Sequence, residues 1–191
     1  MRQLGAGQRS SSLWPQDCGD CSAMMQPMNP SNPYASLLGT RDAFHVAAQT
    51  PERLSDLTGK LGDKGMERSY APGKWSARMI LCHLADSELV FAFRLRLALA
   101  EPHHVIQPFD QDAWASSYSS PNLSGKAALN TFLALRQWNL SLLKNVPQAA
   151  FAKPVSHPER GSMTFQVLVE TMAGHDLNHL RQLDGIAAGS S

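Results

Sequence analysis

Phe165-Gln-Val-Leu168-Val-Glu-Thr-Met172-Ala-Gly-His175-Asp-Leu-Asn-His179-Leu-Arg-Gln-Leu183 decides how the chain is read. Leu168, Met172, His175, His179 and Leu183 follow an i, i+4, i+7, i+11, i+15 course, which puts all five on one stripe of an α-helix. The stripe is otherwise apolar, so the two histidines belong to a face expected to be buried. At about 100° and 1.5 Å per residue, positions four apart lie about 40° and one turn apart. That separation lets one helix offer two imidazoles to one metal ion. Thr164 suits an N-cap, and Asp184-Gly185 is expected to close the helix.

Three further helical patterns precede this one. Ser124 opens a helix running to about Asn145, with apolar positions at Leu129, Phe132, Leu133, Leu135, Leu140 and Leu143. Ser76 caps a helix from Ala77 to about Ala100, stopped by Pro102, with Trp75 placed to staple onto Ile80. Its apolar residues spread over a wide arc, as in a central bundle helix. From Tyr34 to Leu61 the pattern is interrupted at Thr50-Pro51-Glu52, where the helix is expected to kink or restart, and Gly62 to Gly65 ends it. The connection over residues 101–121 is long for a bundle and is expected to cover something; a second loop carries Pro147, Pro154, Pro158 and Gly161. No run alternates as a strand, and no internal repeat is visible.

The expected architecture is all-α: a four-helix bundle over residues 34–187, with long loops. Residues 1–33 are rich in Ser, Gly, Gln, Asn and Pro without periodicity and read as a disordered leader, with Met24, Met25 and Met28 as alternative starts. The 191 residues suffice for one domain with a sizeable core. A net charge of +1 gives no basic excess for a nucleic-acid backbone. No apolar run reaches the roughly 18 residues that span a bilayer, and Arg2 and Arg9 are followed by no apolar signal segment. The expectation is a soluble, cytoplasmic protein with neither nucleic-acid nor membrane partners. Cys18-Gly-Asp-Cys21 lacks the second pair of a zinc ribbon and sits among breakers, so it reads as two exposed thiols.

Two imidazoles on an apolar face cost desolvation energy unless each finds a partner. A metal supplies one; hydrogen bonds in the core supply another. Spacing alone leaves both readings open. His83, between Ile80 and Leu84, is the other histidine expected well inside a buried helix. A zincin motif is excluded, because Asp176 follows His175 where that motif needs Glu. Asp86 and Ser87, one turn beyond His83, are candidate acceptors for an imidazole N–H. Arg94, three turns on, is a candidate for holding an anionic substrate group, against the plainer reading of a snorkelling surface residue. His157 is a candidate for the mouth of the site, His103-His104 reads as solvated, and Cys82 as a small core residue.

Pro72-Gly-Lys-Trp75-Ser76, His83-Leu-Ala-Asp86-Ser87 and His175-Asp-Leu-Asn-His179 together resemble the signature of the DinB-like four-helix-bundle proteins. Gln107-Pro-Phe-Asp110-Gln-Asp-Ala-Trp114 and His157-Pro-Glu-Arg-Gly161-Ser-Met-Thr164 resemble its branch of metal-dependent hydrolases and bacillithiol S-transferases. The likeness runs from about Thr50 to Leu183. It implies three histidine ligands, matching His83, His175 and His179, one divalent ion (nickel or zinc) and a homodimer. Three nitrogen ligands leave a coordination position open, as catalytic sites do. The expected use is activation of a low-molecular-weight thiol for S-transfer to an electrophile. The alternatives are hydrolysis by an activated water, a metal-binding stress protein without catalysis, and a bundle of buried histidines with no metal.

Overall fold

The computed structural model describes residues 32–119 and 123–189. The leader, including Cys18 and Cys21, lies outside the described residues. A single-turn helix, α1 (Ala35–Leu38), ends at Gly39, whose φ of 60° favours glycine. The first long helix, α2 (Ala43–Gly65), is capped by Asp42, which accepts from the His45 amide. Helical geometry in α2 is broken at Gly62, with φ 56° and ψ −178°. The second long helix, α3 (Ala77–Ala100), is capped by Ser76 accepting from the Met79 amide. After strand β1 (His104–Val105), the short helix α4 (Gln111–Ala115) and a 3-10 turn at Ser116–Ser119 follow. Helix α5 (Gly125–Lys144) is capped by Ser124. A 3-10 turn at Gln148–Ala152 leads to strands β2 (Pro154–His157) and β3 (Gly161–Thr164), and then to α6 (Phe165–Ala187), capped by Thr164.

The four long helices form the bundle. Their extensive contacts run α2 to α6, α6 to α3, α3 to α5 and α5 to α2. The order around the bundle is therefore α2, α6, α3, α5, so that α2 lies diagonally to α3 and α5 to α6, while α3 and α5 are neighbours. Long connections are required to cross the bundle ends. The α3–α5 and α5–α6 connections meet in a three-stranded sheet, with β1 parallel to β2 and β2 antiparallel to β3.

Each long helix buries apolar residues at both ends and polar ones between. Toward one end Ala47, Phe91, Leu95, Leu143, Leu168 and Met172 share a cluster; toward the other Leu54, Leu57, Ile80, Leu84, Phe132, Leu180 and Leu183 share a second. Full burial of one such large side chain contributes roughly 1.5–3 kcal/mol. Between the clusters, at the intermediate positions of the four helices, lie buried Thr50, His83, Ser87, Glu88, Arg136, Asn139, His175, Asp176 and His179. A polar layer thus divides the core.

Several expectations are corrected. The first helical region breaks at residues 39–42 rather than at Pro51, which sits inside α2. Helix α6 passes through Gly185 to Ala187, because Ile186 is buried in the second apolar cluster and holds the extra turn. The small sheet was not expected: its strands have two to four residues each, too short for alternation to register. His104 is buried rather than solvated, with Nδ1 2.8 Å from Glu101 Oε2. Cys82 is buried beside Ala115 and Tyr118, as a core residue should be.

Candidate metal centre

Helix α3 brings His83, and α6 brings His175 and His179, into one cluster in which one ring nitrogen from each lies within 4.8 Å of the others. The contact between α3 and α6 achieves this; neither helix alone could. Ring centroids are 4.7 Å apart for His83 and His179, 4.5 Å for His175 and His179, and 5.1 Å for His83 and His175. The two Nε2 atoms of His83 and His175 are 3.0 Å apart.

Burial fixes the charge of the cluster. The rings are 1%, 7% and 5% exposed for His83, His175 and His179. Burial, with the neighbouring His179, lowers the His83 pKa to about 3. Burial lowers that of His179 to about 4, against the opposing bond to Gln182. His175 is pushed well below the usual range by burial, then by the other two histidines and Arg136. All three are neutral near pH 7, so each carries a nitrogen lone pair. Among the described residues, Nδ1 of His83 is buried with no hydrogen-bond partner. Facing Nε2 atoms of two neutral imidazoles share at most one proton, so this layout leaves lone pairs directed at a common point. The donor set fits a borderline divalent ion.

Surrounding groups fall into two sets. Trp75 packs its ring 4.9 Å from His83, and Tyr34 and Phe91 meet His175 at 5.7 and 5.9 Å. Tyr34 can approach because residue 174 is glycine: a Cβ there would lie 2.5 Å from Tyr34 Cβ. Beside His179 opens a cavity of about 360 Å³, lined by Tyr34, Tyr70, Lys74, Asp112, Asn178 and Gln182 among others. The second set is the buried ion network behind the histidines. Arg136 on α5 bonds Glu88 on α3 at 2.6 and 2.9 Å and both oxygens of Asp176 on α6, the shorter at 2.5 Å. Thr50 donates to Asp176 and Asn139 to Glu88. Burial opposes the Arg136 charge, but the two carboxylates more than offset it and hold the guanidinium protonated.

The candidates named from sequence fall at different places. Ser87 Oγ lies 3.3 Å from His83 Nε2. The Asp86 carboxylate instead accepts a hydrogen bond from the Tyr118 hydroxyl. Arg94 donates to the Gln107 carbonyl, stacks on Phe109 and lines an outer apolar groove with Leu89, Phe93 and Trp114. His157 is buried in the β2–β3 hairpin, where Nδ1 accepts from the Glu159 amide. Neither Arg94 nor His157 lines the cavity beside His179.

Sequence reasoning missed Tyr34, Gln182 and the whole ion network. A signal for the network existed. Arg136 and Asn139 occupy the apolar spacing set by Leu129, Phe132 and Leu143, Glu88 that of Leu84, Phe91 and Leu95, and Asp176 that of Met172 and Leu180. A charged residue on a core stripe on each of three helices points to partners among themselves.

A profile of the DinB superfamily matches residues 47–183. A protein of Oceanobacillus iheyensis named "Putative metal-dependent hydrolase" is 31% identical over 136 residues, 71% of this chain and 78% of the relative. The Bacillus subtilis protein of the same description, YfiT, is 24% identical over 141 residues, 73% of this chain and 79% of the relative. The solved structure of YfiT, described as having an unusual four-helix bundle topology, superposes with a TM-score of 0.70 at 21% identity, over 77% of this chain and 85% of that one.

Proposed function

The chain belongs to the DinB superfamily, and on that premise we propose that it is an enzyme whose His83, His175 and His179 hold one divalent ion, zinc or nickel, to activate a low-molecular-weight thiol for S-transfer to an electrophile. The observation that carries this reading is the convergence of three neutral, buried imidazole nitrogens from two helices. When bound there, the ion supplies Lewis acidity, favouring the anionic form of the thiol or water that completes its shell.

The rest is done by the chain's own residues. Three ligands leave room for a further one, and the cavity beside His179 gives access to it. Tyr34, Trp75 and Phe91 wall the histidines and exclude bulk water, which strengthens electrostatic interactions at the centre. Among the described residues, no carboxylate hydrogen-bonds to any of the three histidines. A free thiol, with a pKa of about 8.5, asks much less of a protein base than water, at about 15.7. This difference favours the thiol. In the transfer, the thiol gives up its proton to solvent in the cavity, sulfur forms the new bond to the electrophilic carbon, and the leaving group departs with the bonding pair.

Hydrolysis is the second reading. The names of the relatives support it, as does the Asp112 carboxylate on the same cavity.

Metal analysis of the purified protein, followed by assays of wild type and His179→Ala, separates these readings. S-transfer predicts about one equivalent of ion and thiol consumption with a model electrophile that His179→Ala abolishes. Ester or amide hydrolysis without thiol, abolished by the same substitution, selects the second reading. An ion content below about a tenth of an equivalent overturns both.

A further inference from the structure

We infer that Gln182 is a positioning residue of the three-histidine centre: by accepting the Nδ1 proton of His179 it fixes the tautomer of that ring and leaves Nε2 free to face His83 and His175. The inference rests on the metal reading above and adds the group that makes one of the three ligands ready to donate.

The geometry is local and specific. Gln182 lies three residues after His179 on α6, one turn along the same face. Its Oε1 is 2.8 Å from His179 Nδ1. A neutral imidazole carries one proton, and the hydrogen bond made by one ring nitrogen decides which nitrogen holds it. An amide oxygen can only accept, so the proton must sit on Nδ1 and the lone pair on Nε2. In the other tautomer an N–H would point at His83 and His175, blocking donation at the one place where their nitrogens converge.

His83 provides the contrast. Among the described residues its Nδ1 is buried without a partner, and its Nε2 meets the Ser87 hydroxyl, which can donate or accept and so does not dictate the tautomer. His179 is thus a ligand whose orientation the fold prepares before any ion arrives. Gln182 also borders the cavity beside His179, so the same side chain forms part of the entrance. A neutral amide orients the ring without adding negative charge behind it, whereas a carboxylate there would raise the basicity of the ligand. This agrees with a centre meant to keep the full charge of its ion for the incoming thiol.

The test uses full-length protein with 15N-labelled histidine, metal-free and zinc-loaded, at a pH where the rings are neutral. The variants are Gln182→Met, which keeps length and loses the acceptor, and Gln182→Glu, which keeps an acceptor. Two-bond 1H–15N spectra report the tautomer of His179, and zinc titration reports affinity. The expected result is an Nδ1–H tautomer in metal-free wild type that Gln182→Met loses. Zinc affinity should fall about 10- to 100-fold in Gln182→Met and return to within about threefold of wild type, or tighter, in Gln182→Glu. A wild-type Nε2–H tautomer, an unchanged tautomer in Gln182→Met, or a Gln182→Met affinity within about twofold of wild type overturns the inference. If Gln182→Met does not fold, Gln182→Glu decides: with the acceptor kept, the Nδ1–H tautomer must persist there, and its loss overturns the inference. If wild type binds no zinc, nickel or cobalt, the metal reading fails by itself, and the tautomer in the metal-free protein still decides the role of Gln182.

Discussion

The carbonyl of Ala47, which Pro51 leaves without its helical donor, accepts a hydrogen bond from Arg136 Nη1 at 3.0 Å. A proline inside a helix removes the bond to the residue four before it and normally costs about 3 kcal/mol. Here the freed acceptor turns toward the polar layer and becomes a third partner for a guanidinium already held by Glu88 and Asp176. Pro51 and Arg136, 85 positions apart, are two halves of one arrangement.

Arg136→Met therefore strands two buried carboxylates and one buried carbonyl. Loss of about 3–5 kcal/mol in urea unfolding is expected. Combining it with Glu88→Gln and Asp176→Asn removes the stranded charges and should recover about half of that loss. A single substitution costing under about 1 kcal/mol would show that the network is not formed in solution.

Zinc should stabilise the folded chain by mass action, because three ligands from two helices are gathered only in the native state. At a free concentration of about 100 times Kd, the unfolding free energy should rise by about 2.7 kcal/mol, and a chelator should reverse the gain. Neither effect should appear in a His83→Ala, His175→Ala double variant. Chemical denaturation with and without zinc checks both.

Two glycines of α6 should respond to alanine with opposite signs. At Gly185 the nearest atom to a new Cβ is 3.8 Å away, so the helix propensity of alanine should stabilise the protein by up to about 1 kcal/mol. At Gly174 the new Cβ would meet Tyr34 Cβ at 2.5 Å and the Tyr34 carbonyl at 3.1 Å. The segment carrying Tyr34 must then lift from His175, at a cost of about 1–3 kcal/mol that outweighs propensity. Thermal melts of the two variants provide the comparison.

Asp86, named from sequence beside His83, should leave the centre almost untouched. Its carboxylate is committed to Tyr118, so Asp86→Asn should change zinc affinity by less than about threefold, well below the 10-fold of an outer partner. Tyr118→Phe should cost about 1.5–3 kcal/mol of stability, the value of a hydrogen bond to a charged group. A 10-fold loss of zinc affinity in Asp86→Asn would return Asp86 to the site.

Local rules determined much of this protein from sequence alone. Ser76, Ser124 and Thr164 cap the helices that their sequence positions announce, since an N-cap acts within three residues of itself. The buried stripe of α6, with His175 and His179 on it, followed from a period of 3.6. Other features needed contacts between residues distant in the chain. Ile186, not Asp184-Gly185, decides where α6 ends, because its burial against α2 and α3 residues outweighs a nearby glycine. The β1–β2 pairing joins residues 51 positions apart and has no local pattern. The departure of Asp86 toward Tyr118 and the arrival of Gln182 at His179 depend on which way each side chain leaves its helix. The sequence by itself determined a helical bundle with two histidines facing its core. Only the packing of α3 against α6, and of α5 against α3 so that Arg136 reaches across to Asp176 on α6, decided that a third histidine completes the cluster and that Arg136 balances the carboxylates behind it. Charge and lone pairs act over a few ångströms in space, and periodicity records the face of a residue but not what it meets there.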